Sequence, residues 1–590
     1  MARKSKILVW LAALAVVAGV LFYLFDTYAD QILTGIADRY LKKELEKKDS
    51  LSVSYSNLNY SLATGKVKLK NISVSYPPKG VEGSCKSLEL GPLKPLRVWR
   101  EEKVDLDYIR INSPRLTFIL KHKKNEPDTC RKDSVAVPET GEGGIVKYIK
   151  SIGVKRVTID NATVSLRRKG SRMSLSAGDL DLSLFDIGYG LEDRKLTYCD
   201  SLYVFSASKF SYTSKDSLYR LDVDSIRTEN AGGVLIKGLH GRNTTHKNHL
   251  AEAKGKVPVT WSDLKVKSLH TSSVNIFRTV LQKSISIDSV FIDGDRMTTY
   301  RDVRFPPKKA YPMPQESIMK IPLPLHVGKV DMRVTYYNLE VKRPEGSAGT
   351  LNLHDMGLKI SNLSNKPEHT NSFHLTPRLG KGRGEITLHV KNDRHCSFSF
   401  NGSVSDVSLS DFGGLIGPLF GVSATGDVQS IKTSFSGNSI SASGDFCMLY
   451  DGLKLEIDQQ KTPIEFLSKH GKLIESLEGG LIHRQNPRKL KKEAFTCQVN
   501  ANRDPMKNFG AYIVSTVLNG VEQTVLDKMA YKLAQKKQGK NKKENIFQRI
   551  KEKKEELKEE RKEHKEERKE RREERREERK ERKELKQNNR

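Results

Sequence analysis

The side chains able to do covalent or metal chemistry are sparse in this sequence and are not grouped for it. The chain has 14 His and 6 Cys in 590 residues. Histidines come close together in sequence at His240, His246 and His249, and at His389 with His395. Neither group brings carboxylates or thiolates at the spacing a zinc site uses, so both read as loop and strand positions. Cys85, Cys130, Cys199, Cys396, Cys447 and Cys497 lie far apart and form no CxxC pair. In an oxidising compartment that spacing suits either one or two disulfides or buried thiols on strands. There is no G-x-S-x-G nucleophile elbow, Walker loop or HExxH helix. The expectation is a protein that is not an enzyme, with no catalytic residue, no metal and no cofactor. Its function must then lie in how its elements arrange apolar and polar surface.

Charge alone suggests a different function. Lys+Arg number 103 against 72 Asp+Glu, a net +31, which is the footprint of a nucleic-acid binder. Hydrophobic residues at 37% exclude a polytopic membrane protein, while 20 Tyr and 20 Phe exclude a wholly disordered chain. The N-terminus decides between the remaining classes. Residues 1–6 carry Arg3, Lys4 and Lys6, and residues 7–25 run apolar from Ile7 to Phe25 without a charge. Nineteen residues of helix reach about 28 Å, the thickness of a bilayer's hydrocarbon core. Trp10 at one end and Phe22, Tyr23 and Phe25 at the other suit the interfaces, and the basic start places residues 1–6 in the cytoplasm. The sequence Asp26-Thr27-Tyr28-Ala29 offers no small-x-small cleavage site, so an uncleaved signal-anchor is expected over a cleaved secretory signal. Either exports the body, and an exported body excludes nucleic acid as the partner. Residues 28–48 then form an amphipathic helix, with Ile32, Leu33, Ile36, Tyr40 and Leu41 on one face. It packs on the following sheet or lies on the membrane surface.

From residue 51 to about 500 the pattern has period two. Val53 and Tyr55, then Leu58 and Tyr60, alternate with polar residues; so do Leu180, Leu182 and Leu184, and Val330, Met332 and Val334. Between Leu69 and Ile72 the phase shifts, as a β-bulge at Asn71 would produce. Such alternation specifies antiparallel sheet with one apolar and one polar face. A sheet this long either splits into sandwiches or curls into a trough. The weak candidates for domain boundaries are Lys121–Gly144 and the Pro-rich Phe305–Pro324, in which Pro322 and Pro324 suit an edge strand or an extended segment.

Residues 405–457 carry a more specific pattern: Leu409-Ser-Asp-Phe412, then Gly421 to Val428, then Gly444-Asp445-Phe-Cys-Met-Leu-Tyr450-Asp451-Gly-Leu453-Lys454-Leu455. This resembles the C-terminal region of the AsmA-like envelope proteins of Gram-negative bacteria (the AsmA, TamB and YhdP group). The order of parts agrees: one N-terminal span, a short helix, a long β-rich body and the motif late. The resemblance implies a mainly β fold, a long curled antiparallel sheet forming an elongated groove, with short flanking helices. It further implies an inner-membrane anchor and a periplasmic body that assists movement of phospholipid or another envelope lipid between inner and outer membranes, or outer-membrane assembly, with outer-membrane components as partners. The motif residues are Gly444, Asp445, Tyr450, Asp451, Leu453 and Lys454. The alternative class is an envelope scaffold or adhesion protein built of β-sandwiches.

Residues 505–535 are expected as an amphipathic helix, the period turning helical from Asn508, with Ile513, Val517, Val521 and Val525 on one face and Val514, Leu518 and Met529 alongside. Residues 536–590 are Lys/Arg/Glu-rich and are expected as a solvated single helix. Residues 551–590 hold 19 Lys+Arg and 15 Glu, only +4 of the +31, so the excess charge belongs to the body.

Overall fold

The computed structural model describes residues 52–61, 63–92, 102–120, 150–190, 196–197, 203–229, 232–272, 274, 284–344, 348–458, 482–488 and 493–526, with Thr34, Asp38 and Arg39. The expected anchor at 7–25, all but those three positions of the 28–48 helix, and the charged tail at 536–590 lie outside them.

The protein is mainly β, and its 22 strands join one sheet. The first part holds β1 (Ser52–Ser54), β2 (Asn57–Ser61), β3 (Lys66–Tyr76), β4 (Val81–Gly91), β5 (Lys103–Asn112), β6 (Arg115–Leu120), β7 (Ser151–Arg168), β8 (Ser174–Gly190) and the stub β9 (Leu196–Thr197). A meander follows: β10 (Tyr203–Thr213), β11 (Tyr219–Thr228), β12 (Val234–Asn243), β13 (Val259–Thr271) and β14 (Ile285–Asp302). The last part runs β15 (Leu325–Lys342), β16 (Gly349–Ser364), β17 (Thr370–Leu379), β18 (Gly382–Lys391), β19 (Phe398–Ser408), β20 (Val422–Gly437), β21 (Ser441–Ile457) and β22 (Thr496–Asn502). Each strand pairs with its neighbour in sequence, except that β1 and β2 share β3, β5 and β6 share β4 and β7, and β9 hangs on β8. Setting aside the stub and counting each end-to-end pair once, the 22 strands make nineteen rungs.

The sheet is mixed, which corrects the all-antiparallel expectation. β14 and β15 are parallel, and so are β5 and β6 with β7. Parallel neighbours need a crossover of a dozen residues or more, too long for a hairpin turn. The two stretches expected as domain boundaries fall in these connections: residues 303–324 join β14 to β15, and residues 121–150 join β6 to β7. Neither divides the sheet.

The 303–324 crossover crosses the apolar side. It contains a short helix α1 (Pro314–Met319), opened by proline and held by Glu316 Oε2, which accepts from Met313 N at 2.6 Å. Met313 is fully buried in the same cluster as Val390, Phe398 and Phe446. Ile321–Pro324 form no strand; this extended segment is pinned by Asn365, whose Nδ2 donates to Ile321 O and Leu323 O and whose Oδ1 accepts from Leu325 N. Tyr311 ties distant rungs together. The Arg301 guanidinium of β14 lies 5.9 Å from its ring, its N donates to Pro505 O beyond β22, and its carbonyl accepts from Arg503.

Phase is kept across the sheet by a recurrent irregularity. Same-face apolar residues sit three apart, not two, at Leu69/Ile72, Ile159/Ala162, Ala177/Leu180, Ala207/Phe210, Ile236/Leu239 and Val334/Tyr337. The residue between is often left-handed: Asn71 (φ 50), Asn161 (53), Asp179 (44), Lys209 (53) and Gly238 (63). Asn and Asp tolerate that region because their side chains bond locally. Asp179 accepts from Ser208 Oγ at 2.6 Å and pairs with Lys209 at 2.9 Å, which together hold its carboxyl below the usual range. The phase shift expected at Asn71 is thus one point of a crease crossing the strands, and not a β-bulge: the register is kept across it, Lys70 facing Ser87 and Ile72 facing Cys85.

Gly238 is the position where this crease tolerates no substitution. A Cβ there would stand 1.9 Å from Asp224 Oδ2, at positive φ. Gly238→Ala is expected to lower the urea midpoint by an amount equivalent to about 1–3 kcal/mol, whereas Asn71→Gly changes it by only a few tenths. Equal effects at the two sites would refute the crease as the source of strain.

Candidate functional site

No cluster of reactive side chains dominates the molecule; its most extensive feature is a row of apolar side chains running perpendicular to the strands. Rung by rung it passes through Leu69, Leu88, Ile111, Ile159 and Leu182. A bulge between β8 and β10 offsets it, and it resumes as Ala207, Ile226, Ile236, Leu269, Ile292 and Met332. It continues through Leu358, Leu375 and Ile386, then Gly402, Thr433, Phe446 and Cys497. Between the end rungs of β3 to β13, no Asp, Glu, Lys or Arg stands on this face. The opposite face carries the charges, paired across strands as in Lys155–Asp107, Lys267–Asp295 and Arg378–Asp355. These are exposed pairs, each contributing roughly 0–1 kcal/mol, so they keep that face solvated more than they hold the sheet. Ala162, Ala207, Val223, Val266 and Val334 are buried while their neighbours Asn161, Lys209, Asp224 and Lys267 are exposed.

The last rungs are covered. Helix α2 (Gly413–Phe420) packs beside β16 and β20, and helix α3 (Phe509–Val525) lies on β21 and β22. Asn508 caps α3, its Oδ1 accepting from Ala511 N at 2.9 Å, where the sequence places the helix start. The expected face packs on the core, with Val525 fully buried, but the centre of the contact lies one residue round the helix. Met529 and the rest of the helix expected to 535 lie outside the described residues. Tyr512, Thr516, Gly520 and Thr524 are buried, Ile513, Val517 and Val521 pack alongside, and Val514 and Leu518 face outward at 55% and 37% exposure. The reason is close packing: a Cβ on Gly520 would stand 2.3 Å from the Phe446 ring, so small residues take the centre of the contact. Phe398 meets Phe509 edge-on at 5.1 Å, and Phe400 stacks on Phe435 at 4.7 Å.

Gly444, Asp445, Tyr450, Asp451, Leu453 and Lys454, which carry the resemblance, all lie on β21, but on different sides of it. Gly444 permits a close strand approach, since a Cβ would stand 2.1 Å from Ser434 O. Tyr450 and Leu453 are buried at 1% and 3% exposure. Tyr450 Oη donates to His483 O at 2.9 Å, and Asn486 joins Met448 O, Phe495 O and Phe495 N in one bonded set. Asp445, Asp451 and Lys454 are exposed. Asp451 sits at a bulge, its Oδ1 accepting from Gly452 N at 2.8 Å. The motif is therefore a packing and turn device under α3, not a reactive group. Asp445 also borders a recess of ≈ 350 Å³ on the polar face, shared with Glu385, Asn401, Ser403, Lys432, Cys447 and Thr496. Its lining holds a thiol but no histidine to act as base.

The singled-out histidines are dispersed. His240 Nε2 lies 2.9 Å from Asp263, with its Nδ1 2.9 Å from Arg242, and the His246 and His249 rings are 5.9 Å apart. Among the described residues no group of three or more His, Cys, Asp or Glu is placed to hold a metal. Cys85, Cys396 and Cys447 carry free thiols; Cys130 and Cys199 lie outside the described residues. Sequence reasoning missed a buried polar cluster at one strand end. Asp302, fully buried, takes a bidentate bond from Arg304 (3.0 and 2.7 Å), and Lys247 pairs with Glu340 at 2.6 Å beside Tyr300. It also missed the buried Asn371–Asn392 pair, which satisfies the backbone of Ser364. Lone Asn and Asp on strands leave no pattern by which to find them.

Both outer edges of the sheet are stoppered by side chains. At β2, Thr34 Oγ1 accepts from Tyr60 N at 2.9 Å, and nearby Tyr55 Oη donates to Asp38 at 2.7 Å. At β22, Asn519 Oδ1 accepts from Asn500 N and Gln523 Nε2 donates to Gln498 O. Edge groups left open would invite pairing with another chain.

No family model matches the chain, and no curated protein matches it. Among the described residues no helix is long and apolar enough to cross a membrane.

Burial holds the Tyr450 and Tyr512 phenols up at about 12 from an ordinary 10.0. A raised pKa means the neutral form is favoured by folding, so this stabilisation is complete below pH 10 and is lost as pH rises from 10 toward 12. Spectrophotometric titration is expected to show a late phenolate fraction that shrinks in Tyr450→Phe/Tyr512→Phe but does not vanish, because burial and Asp38 also push Tyr55 up to about 12. Unchanged titration in that double variant would contradict the burial assigned to both rings.

Proposed function

We propose that the protein is a membrane-anchored, AsmA-like β-groove that assists movement of phospholipid or a similar envelope lipid between membranes, without catalysis. The observation that carries this reading is the charge-free apolar row, which passes from strand to strand from β3 with a single offset between β8 and β10. An acyl chain in water costs about 0.8 kcal/mol per CH₂, so a continuous apolar floor lowers the barrier to its transit while headgroups remain solvated. Eighteen intervals between nineteen rungs, at about 4.8 Å each, give a contour of about 85 Å.

Two further observations support a groove. β14 and β22 are eight rungs apart, a contour of about 38 Å, yet Tyr311 touches residues of both ends, as a sheet curled around its apolar side requires. α3 then closes the apolar face at the C-terminal rungs, where the resemblance places a closing helix. The envelope-scaffold alternative requires sandwiches, each with its own sheet; one unbroken ladder favours the groove. On this reading the charge-free stretch at 7–25 is the anchor and the body stands in the periplasm.

Photo-crosslinking tests this. A photoreactive side chain at half-buried Leu182 or Ile236 on the apolar face is expected to capture lipid, detected by mass spectrometry, while Asp181 and Lys237 on the opposite face capture none. Equal capture from both faces, or none from either, would refute the reading.

A further inference from the structure

One rim of the apolar face is basic, and its turns touch. The turn between β7 and β8 holds Lys169 and Arg172; Ser171 Oγ there donates to Lys215 O in the turn between β10 and β11 at 3.2 Å. From the next turn but one, between β12 and β13, Lys254 Nζ reaches Tyr219 Oη at 2.9 Å and Asp216 at 3.6 Å. Lys256 follows, and Lys308 Nζ from the 303–324 crossover comes within 4.0 Å of where a Cβ on Gly255 would stand. Lys169, Arg172, Lys215, Lys256, Lys308 and Lys309 are exposed, and among the described residues none of the six is in an ion pair. The nearby acids are already engaged: Asp216 by Lys254, Asp302 by Arg304, Glu252 by His249.

This rim borders the apolar floor directly. Leu166, Leu175, Tyr212 and Leu221 stand side by side as inward residues near that end of β7, β8, β10 and β11. A strand advances about 3.3 Å per residue, so the basic turns lie only about 10 Å beyond these side chains. Tails lying on the floor would therefore put headgroup phosphates along a row of six cations, none in an ion pair among the described residues, spread over about 20 Å or more of rim.

We propose that this rim is a headgroup site selecting anionic phospholipids, the phosphate-bearing end resting on the basic turns while the acyl chains lie on the apolar face. It rests on the groove reading and adds to it a substrate class and a fixed orientation. Free phosphate offers the same anion without tails, so the two sources need separate arms.

The test uses the full chain in nanodiscs of equal parts phosphatidylglycerol and phosphatidylcholine, released in mild detergent, with retained lipids counted by native mass spectrometry. A basic residue beside an anionic surface changes affinity on the order of fivefold, so wild type should favour phosphatidylglycerol by roughly tenfold or more. Lys169→Glu/Arg172→Glu/Lys256→Glu/Lys309→Glu should retain as much total lipid at a ratio near parity, with the milder four-Gln variant in between. Circular dichroism of both variants checks folding. An unchanged headgroup ratio with lipid still bound overturns the headgroup site and leaves the groove standing. Lipid absent from wild type overturns both. Loss of phosphatidylglycerol preference on adding millimolar inorganic phosphate, at constant ionic strength, overturns it in favour of a free-anion site.

Discussion

The structure depends on a constraint of phase. A strand's side chains alternate with period two, so a slip of one residue moves its whole apolar set to the solvent side. Nineteen rungs in one sheet must all present the same face, because no second sheet among the described residues stands by to cover a strand that turns over. The left-handed residues of the crease meet this constraint. Each lets a strand bend or twist and then restores its apolar side one residue out of step, and the neighbouring strand does the same at the matching rung. The apolar row survives because the irregularities are shared.

Much of this is visible in the alternation. The two faces, the phase shift at Asn71 and the start of the last helix at Asn508 stand in the structure where local pattern places them. Strand direction does not, since alternation reads the same forwards and backwards. Hence the parallel junctions at β14–β15 and at β7 were not foreseen, although the polar and Pro-rich connections that make them were noticed as irregular. Helical period places the apolar stripe of α3 on the core but does not reveal the small residue at the centre of the contact. Hydrophobicity groups Val514 and Leu518 with that stripe, yet they face outward, and the close approach of Phe446 requires Gly520.

The least legible part is polar. Asn365, Asn371, Asn392 and Asn486 each satisfy backbone groups at places where the sheet is interrupted: the crossover return, the β16–β17 connection, and the segment beside Tyr450. A buried backbone N–H or C=O left unpaired costs on the order of 1–3 kcal/mol, so these single amides carry junctions that hydrogen-bonded ladders cannot. Their spacing in the chain reflects where the folded strands happen to end, and nothing local announces it. The motif around Tyr450 is similar: its shape suggested a signature, and its residues prove to anchor a hairpin under a helix.

The stoppered edges have a consequence for length. Because the apolar row runs across the strands, its span counts strands and is indifferent to how long each one is. Adding or removing one antiparallel hairpin changes that span by two rungs, about 10 Å, and leaves the composition of the face unaltered. Thr34 at one end and Asn519 with Gln523 at the other occupy edge groups that a further strand would need, so they oppose extension of the sheet at its ends. The molecule is in this sense a ruler with fixed ends, graduated in hairpins.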